Sequence, residues 1–176
     1  MRAQQRTLIT AAALALTILA IGSPANAGSG DLGTLRAVTA RFHDVDDAVA
    51  SGYGVLRDAA GIACIQSSAG VMGIHYVNGD LVLGSGISTI DVNRPEALVY
   101  QPLPNGTLRL VAVEWVIFTA AWSGSARPSL FGRQFDFTPS PNRYGIPAFY
   151  SLHAWVWENN PSGIFSPYNP SGTCRD

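Results

Sequence analysis

The sequence predicts an α+β fold, in which an N-terminal amphipathic helix packs on a mostly antiparallel β-sheet or a small β-barrel. Apolar residues between Thr34 and Ser51 recur every three or four positions, which is the period of one helix face. After Gly52 the pattern changes to short apolar runs separated by turn residues, as in strands. Hydrophobic residues form 47% of the chain and charged residues only 13%, so these elements must share a well-buried core.

The first 27 residues have the three parts of a secretory signal peptide. A basic start with two arginines precedes an apolar run at 8–21, and the small-x-small motif Ala-Asn-Ala follows at 25–27. The apolar run is shorter than the roughly 20 residues of a membrane span. We therefore expect residues 1–27 to be removed and residues 28–176 to form one secreted, extracellular domain that has no membrane anchor.

Charge and cysteine content narrow the function classes of this domain. It contains no lysine, its arginines are scattered, and loss of the two N-terminal arginines moves the formal net charge from −1 to −3, which argues against a nucleic-acid partner. In an oxidising compartment the two cysteines, Cys64 and Cys174, predict a disulfide. A bridge that closes a loop of about 110 residues stabilises a fold by about 2–4 kcal/mol.

Apolar runs after the helix predict six or seven strands. The clearest hairpin joins Ala97–Leu103 to Leu108–Phe118 through a turn at Asn105-Gly106. Two further strands are expected at 71–77 and 80–83, joined by a turn at 78–80. Others are expected at 87–92, in a segment that ends near residue 137, and at 147–158. A cupin-like all-β barrel is the alternative arrangement of these strands.

Three ionisable residues stand near the centres of three separate apolar runs. His75 lies in GVMGIHYVNG, Glu114 in LVAVEWVIF, and His153 in FYSLHAWVW. The run around Glu114 is apolar on both faces, which predicts a strand that is buried on both sides. An unpaired carboxylate there would be costly, so Glu114 must be protonated, paired or bound to a cation.

Two histidines and one carboxylate from neighbouring strands form the ligand set of a mononuclear, open metal site. We therefore predict that His75, Glu114 and His153 hold one divalent transition metal in a barrel-like cavity. These ligand types accept zinc, copper, iron, manganese or nickel. Three protein ligands leave positions for water or a small-molecule ligand, so the site suits either a metal-dependent enzyme or a metal-holding protein.

Other readings of the same residues stay open. The two histidines could be hydrogen-bonded core residues, with Glu114 paired to an arginine such as Arg109 or Arg133. The protein would then be a binding module for a small apolar or carbohydrate ligand, or an extracellular protein without a pocket. The aromatic residues Tyr76, Trp115 and Trp155 are the candidates for lining such a pocket; these three are also ordinary core residue types.

The segments that carry these residues also resemble a known family. The combination of GVMGIHYVNGD, PEALVY, LRLVAVEW and SLHAWVWENNPSGIFSPYNP is similar to small secreted bacterial proteins of unassigned function. The resemblance runs from about Phe42 to Cys174. It implies export, and it brings no catalytic residue with it.

Overall fold

The computed structural model of the protein describes residues 32–84 and 89–174. The predicted signal peptide lies outside the described residues. In the described part, three short helices, one 3₁₀ turn and nine strands follow in this order: α1 (Leu32–Thr39), the 3₁₀ turn (Ala40–His43), α2 (Val45–Ala50), β1 (Tyr53–Val55), β2 (Cys64–Ser67), β3 (Gly70–Asn78), α3 (Gly79–Leu83), β4 (Ala97–Pro102), β5 (Leu108–Phe118), β6 (Ser129–Leu130), β7 (Arg133–Gln134), β8 (Asp136–Thr138) and β9 (Phe149–Ala154).

Seven of the strands form one antiparallel sheet, so the predicted α+β fold is confirmed. The strand order is β1-β3-β4-β5-β9-β8, and β2 pairs with the same edge of β3 as β1 does. Within the described residues β1 and β8 do not pair with each other, so the sheet is open. Both barrel arrangements considered from the sequence, the small barrel and the cupin-like barrel, are therefore wrong.

The N-terminal helical segment is broken and does not form one helix over 34–51. Asp44 has an extended backbone, and its side chain accepts a hydrogen bond from the N–H two residues later, so it ends the 3₁₀ turn and caps α2. The chain changes direction at this cap. Within the predicted apolar stripe Leu35 is fully buried, whereas Val38 and Val49 are 38% and 54% exposed.

The strands predicted on either side of the central hairpin are only partly formed. β4 and β5 form the predicted hairpin, whose turn is braced by the Asn105 side chain. The expected turn at 78–80 and strand at 80–83 are wrong, because Asn78 caps α3 by accepting a hydrogen bond from the N–H of Leu81. No strand forms over 89–92, the described part of the expected strand at 87–92. β9 ends at Ala154, because the N–H of Trp155 bonds to a carbonyl outside the sheet.

The two faces of the sheet are covered by different parts of the chain. The helices pack on one face, where Leu98, Tyr100 and Trp115 are fully buried and the Tyr100 hydroxyl donates to the carbonyl of Phe42. The opposite face carries a smaller apolar cluster around Val99. Burial on both faces explains why β5 is apolar at nearly every position.

The C-terminal segment is tied back onto β2 and β3. A disulfide joins Cys64 and Cys174, whose Cα atoms lie 5.6 Å apart, as the sequence predicts. Asn169 is fully buried and forms an isolated bridge with Val71. No helix in the described ranges has both the length and the apolar character that a membrane span requires.

Loss of the disulfide is expected to destabilise the fold without emptying the site described below. We expect Cys174→Ser to lower the free energy of unfolding by about 2–4 kcal/mol, because the unfolded chain regains the entropy of an open loop. Urea denaturation of both proteins measures this difference. An unchanged midpoint, or free thiols in the exported wild-type protein, would contradict the prediction.

Candidate metal centre

Neighbouring strands bring the three predicted ligands to one face of the sheet. Glu114 on β5 stands directly opposite His153 on β9. His75 lies one strand further, on β3, and reaches Glu114 across β4. The residues of β4 paired with Glu114 and His75 are Ala97 and Val99, and the small Ala97 side chain leaves room for the two to meet.

The nitrogen and oxygen atoms of the three residues converge. His75 Nε2 lies 3.3 Å from Glu114 Oε2, and His153 Nδ1 lies 3.3 Å from Glu114 Oε1. One potential ligand atom from each residue lies within 4.8 Å of the other two. The imidazole rings of His75 and His153 meet edge to face, with their centroids 5.3 Å apart. The carboxylate therefore stands between two histidines.

The group is buried and incompletely hydrogen bonded. His75, Glu114 and His153 are 3%, 8% and 2% exposed. No hydrogen bond of standard geometry reaches either ring nitrogen of His75 or Nε2 of His153 among the described residues, although the backbone of Gly73 lies close to the His75 ring. Buried histidines that serve only the core normally pair both nitrogens, because an unpaired buried polar atom costs about 1–3 kcal/mol.

Gly73 gives β3 an unusual backbone conformation beside the site. Gly73 has a φ of +112°, and a Cβ there would lie 2.7 Å from Val99 Cγ1 and 2.9 Å from the carbonyl oxygen of Tyr100. The glycine thus permits both the backbone turn and the close approach of β4. It lies two residues before His75 in the same strand, on the same face of the sheet.

Burial and neighbouring charges place His75 and Glu114 in forms that suit a metal. Burial lowers the pKa of His75 to about 4, so its imidazole is neutral at pH 7. Burial raises the pKa of Glu114, but the two neighbouring histidines, together with hydrogen bonds from His153 and Ser151, outweigh this effect and lower that pKa to about 2. A neutral imidazole and an ionised carboxylate are the ligand forms that metals bind.

The arginine pairing considered for Glu114 is not formed. Arg109 makes an ion pair with Glu158 at the surface, and Arg133 lies in the separate two-stranded sheet of β6 and β7. The Glu114 carboxylate instead faces the two histidines and accepts a hydrogen bond from the Ser151 hydroxyl.

The three predicted pocket aromatics lie away from the open side of the group. Tyr76 and Trp115 alternate with His75 and Glu114 along their strands, so their side chains pack in the core on the helix-covered face. Trp155 stacks on His153 with a centroid distance of 6.1 Å, and its Nε1–H donates to the carbonyl of Ser166. Trp155 therefore packs against the ring of the candidate ligand His153.

An apolar cavity of about 210 Å³ adjoins the group and was not predicted from the sequence. His75 and Glu114 line it, together with side chains from β3, β5, β9, α3, the residue after β1 and the loop before β9: Leu56, Val77, Val82, Leu83, Val116, Phe118, Tyr144, Ile146 and Phe149. The period-two pattern of β5 could have indicated Val116 and Phe118, which share a face with Glu114. Tyr144 and Ile146 lie in a loop where no periodicity exists.

A second buried carboxylate, Glu96, lies nearby and was also missed. It accepts a hydrogen bond from the N–H of Val116 at 3.0 Å, and burial raises its pKa to about 7.

In the metal-free protein, the shifted pKa values of His75 and Glu96 affect the free energy of unfolding in opposite directions. Between pH 4 and 6.5 the unfolded chain binds more protons at His75, so this residue makes stability rise with pH. Between pH 4.5 and 7 the folded chain binds more protons at Glu96, so that residue makes stability fall with pH.

Single substitutions should separate these two pH effects. From pH 4.5 to 6.5 we expect the unfolding free energy of His75→Gln to fall with pH, since Glu96 still titrates. That of Glu96→Gln should rise, since His75 still titrates. Each slope is at most about 1.4 kcal/mol per pH unit. Urea denaturation in the presence of a chelator measures both slopes, and variants that keep the wild-type slope would contradict the assignment.

His75, Glu114 and His153 thus form a buried group that could hold one metal ion. No protein-family model, curated protein or solved structure matches this chain. Its function is therefore inferred from the chemistry of the group itself.

Proposed function

We propose that the protein is exported and binds one divalent transition metal through His75, Glu114 and His153. One observation carries the proposal: a buried nitrogen, His75 Nε2, faces Glu114 Oε2 at 3.3 Å and has no hydrogen-bond partner among the described residues. A cation between the two residues would give this nitrogen a partner and would neutralise the buried carboxylate. Zinc, copper, iron and manganese all accept this ligand set.

The distances between the donors fit metal ligation. Two donors bonded at about 2.1 Å and at a tetrahedral angle lie roughly 3.4 Å apart. Each histidine nitrogen that faces Glu114 lies 3.3 Å from a carboxylate oxygen. This separation is longer than a strong charge-assisted hydrogen bond, which is about 2.7–2.9 Å. The spacing is therefore compatible with one ion held among the three residues, whose ligand atoms lie within 4.8 Å of one another.

The position of the group suits a reactive metal better than a purely structural one. Structural zinc sites usually have four protein ligands, whereas catalytic sites keep a position for water or substrate. This group offers three ligands, and His75 and Glu114 line a cavity that an outside molecule can enter. When bound, the metal would supply Lewis acidity toward a ligand in that cavity. A metal-dependent enzyme is therefore the function class we propose.

Carbohydrate binding on aromatic platforms has less support. Trp115 is fully buried and Trp155 is 2% exposed, so neither presents a ring face for a sugar to stack on. Export is proposed from the signal-peptide pattern at 1–27 and agrees with the disulfide between Cys64 and Cys174. The resemblance to small secreted bacterial proteins points the same way.

Metal analysis of untagged protein tests the proposal. Protein purified without added metal, then titrated with cobalt(II), should bind one equivalent and show the d–d absorption bands of a nitrogen- and oxygen-ligated site. His75→Asn should lose this binding. His43→Asn is the matched control, because His43 is exposed on the helical segment and packs against Trp157. A wild-type protein that binds no metal, or equal binding by both variants, would contradict the proposal.

A further inference from the structure

We infer that the metal centre takes a small organic monoanion with an apolar body, of the class of short aliphatic monocarboxylates. The carboxylate would occupy the free metal positions and the alkyl chain would fill the adjoining cavity. This inference rests on the proposed function and specifies its ligand.

The cavity wall favours an apolar body. Apart from His75, Glu114 and the Tyr144 hydroxyl, the side chains that line the cavity are aliphatic or phenyl groups. A polar ligand body would lose its hydrogen bonds to water there without replacing them. The charged residues at the cavity are thus confined to the metal centre.

The charge of the loaded centre favours an anionic head group. A divalent ion with two neutral imidazoles and the Glu114 carboxylate carries a net charge of +1. In an apolar cavity this charge is costly, and one bound monoanion cancels it. A neutral ligand would leave the charge in place, and a dianion would reverse it.

Tyr144 supplies a hydrogen-bond donor at the same cavity. Its hydroxyl contacts Met72 Sδ at 3.9 Å, and a thioether sulfur is a weak acceptor. A ligand carboxylate oxygen is a much stronger acceptor, so the hydroxyl can turn to it. Tyr144 would then fix the head group while the metal binds it.

The size and opening of the cavity limit the ligand to a small molecule. Its volume of about 210 Å³ is below the roughly 300–1,000 Å³ of pockets for drug-sized ligands. Leu83 lines the cavity and is 70% exposed, so the cavity reaches the surface beside α3. A chain of about six carbons is therefore a suitable probe.

Titration of the cobalt(II)-loaded protein with hexanoate, acetate and 1-hexanol tests the inference. Hexanoate should shift the cobalt absorption bands and bind at least tenfold tighter than acetate, because its chain is buried in the cavity. 1-Hexanol at the same concentration should leave the bands unchanged, because it has no anionic head. Tyr144→Phe should weaken hexanoate binding about tenfold while it keeps one equivalent of cobalt.

A pair of matched variants assigns the chain-length preference to this cavity. Ile146→Phe fills the cavity and should remove the preference for hexanoate over acetate at unchanged cobalt content. Ile62→Phe is the control, since Ile62 is 49% exposed and does not line the cavity. It should keep the preference.

The outcomes separate this inference from the proposed function. Failure to bind cobalt would overturn both. Normal cobalt binding without a spectral response to hexanoate at about 10 mM, where even weak millimolar ligands bind, would overturn the ligand inference alone. Equal affinity for acetate and hexanoate, or a preference that survives Ile146→Phe, would also overturn it.

Discussion

Replacement of Glu114 with glutamine is expected to reduce affinity for a divalent metal at least 100-fold, or by about 2.7 kcal/mol. Glutamine keeps the shape of the side chain and one oxygen, but it removes the negative charge that offsets the ion. The two oxygens of Glu114 each face one histidine nitrogen at 3.3 Å, whereas the nearby carboxylate of Glu96 lies outside the group of three ligands. Competition with a chromogenic chelator measures the affinity.

The control for this substitution is Glu158→Gln. Glu158 pairs with Arg109 at the surface and lies outside the group of three ligands. It should leave the affinity unchanged. If Glu114→Gln binds metal as tightly as Glu158→Gln does, the carboxylate is not a ligand.

The largest expected effect on folding comes from Trp115→Ala, which should lower the free energy of unfolding by about 3–5 kcal/mol. Trp115 is fully buried on the helix-covered face, contacts Phe131 and donates a hydrogen bond from Nε1 to the carbonyl of Asp91 at 3.0 Å. Its removal leaves a cavity and an unpaired carbonyl. Urea denaturation followed by circular dichroism gives the difference.

Trp122→Ala provides the comparison for this large effect. Trp122 is only half-buried, and its Nε1–H bonds within its own loop, to the carbonyl of Ala126. Its loss should cost less than 1 kcal/mol, as at most surface positions. Trp115→Phe serves if the alanine variant fails to fold, and it should lie between the two. Similar stabilities for Trp115→Ala and Trp122→Ala would contradict the assignment of Trp115 to the core.

The candidate site could be predicted from the sequence because desolvation applies to each ligand separately. His75, Glu114 and His153 each interrupt an apolar run, and a buried ionisable group needs a partner. Each lies near the centre of its apolar run, so neighbouring strands can place the three at a similar height, although β9 itself ends one residue after His153. The pairing of Glu114 with His153 depends on the register of β5 and β9, which single-strand patterns do not contain.

The break in the helical segment and the start of α3 could not be predicted from the hydrophobic pattern, because local side-chain hydrogen bonds determine them. The side chain of Asp44 breaks the helical segment, and that of Asn78 starts α3 where a turn between strands was expected. Asp and Asn are common both in turns and at helix caps, so the sequence pattern alone does not decide between a turn and a cap at these positions. The packing of the rest of the chain decides it. The cavity depends on Tyr144 and Ile146, which a long loop brings back to β5.

Anomalous X-ray diffraction from crystals of the metal-loaded protein tests the central claim most directly. Data collected on both sides of the metal absorption edge locate the ion without reference to any binding assay. We expect one anomalous peak, about 2.0–2.2 Å from a nitrogen of His75, an oxygen of Glu114 and a nitrogen of His153. A loaded crystal in which the peak lies elsewhere, or in which these three side chains bond only to one another, would contradict it.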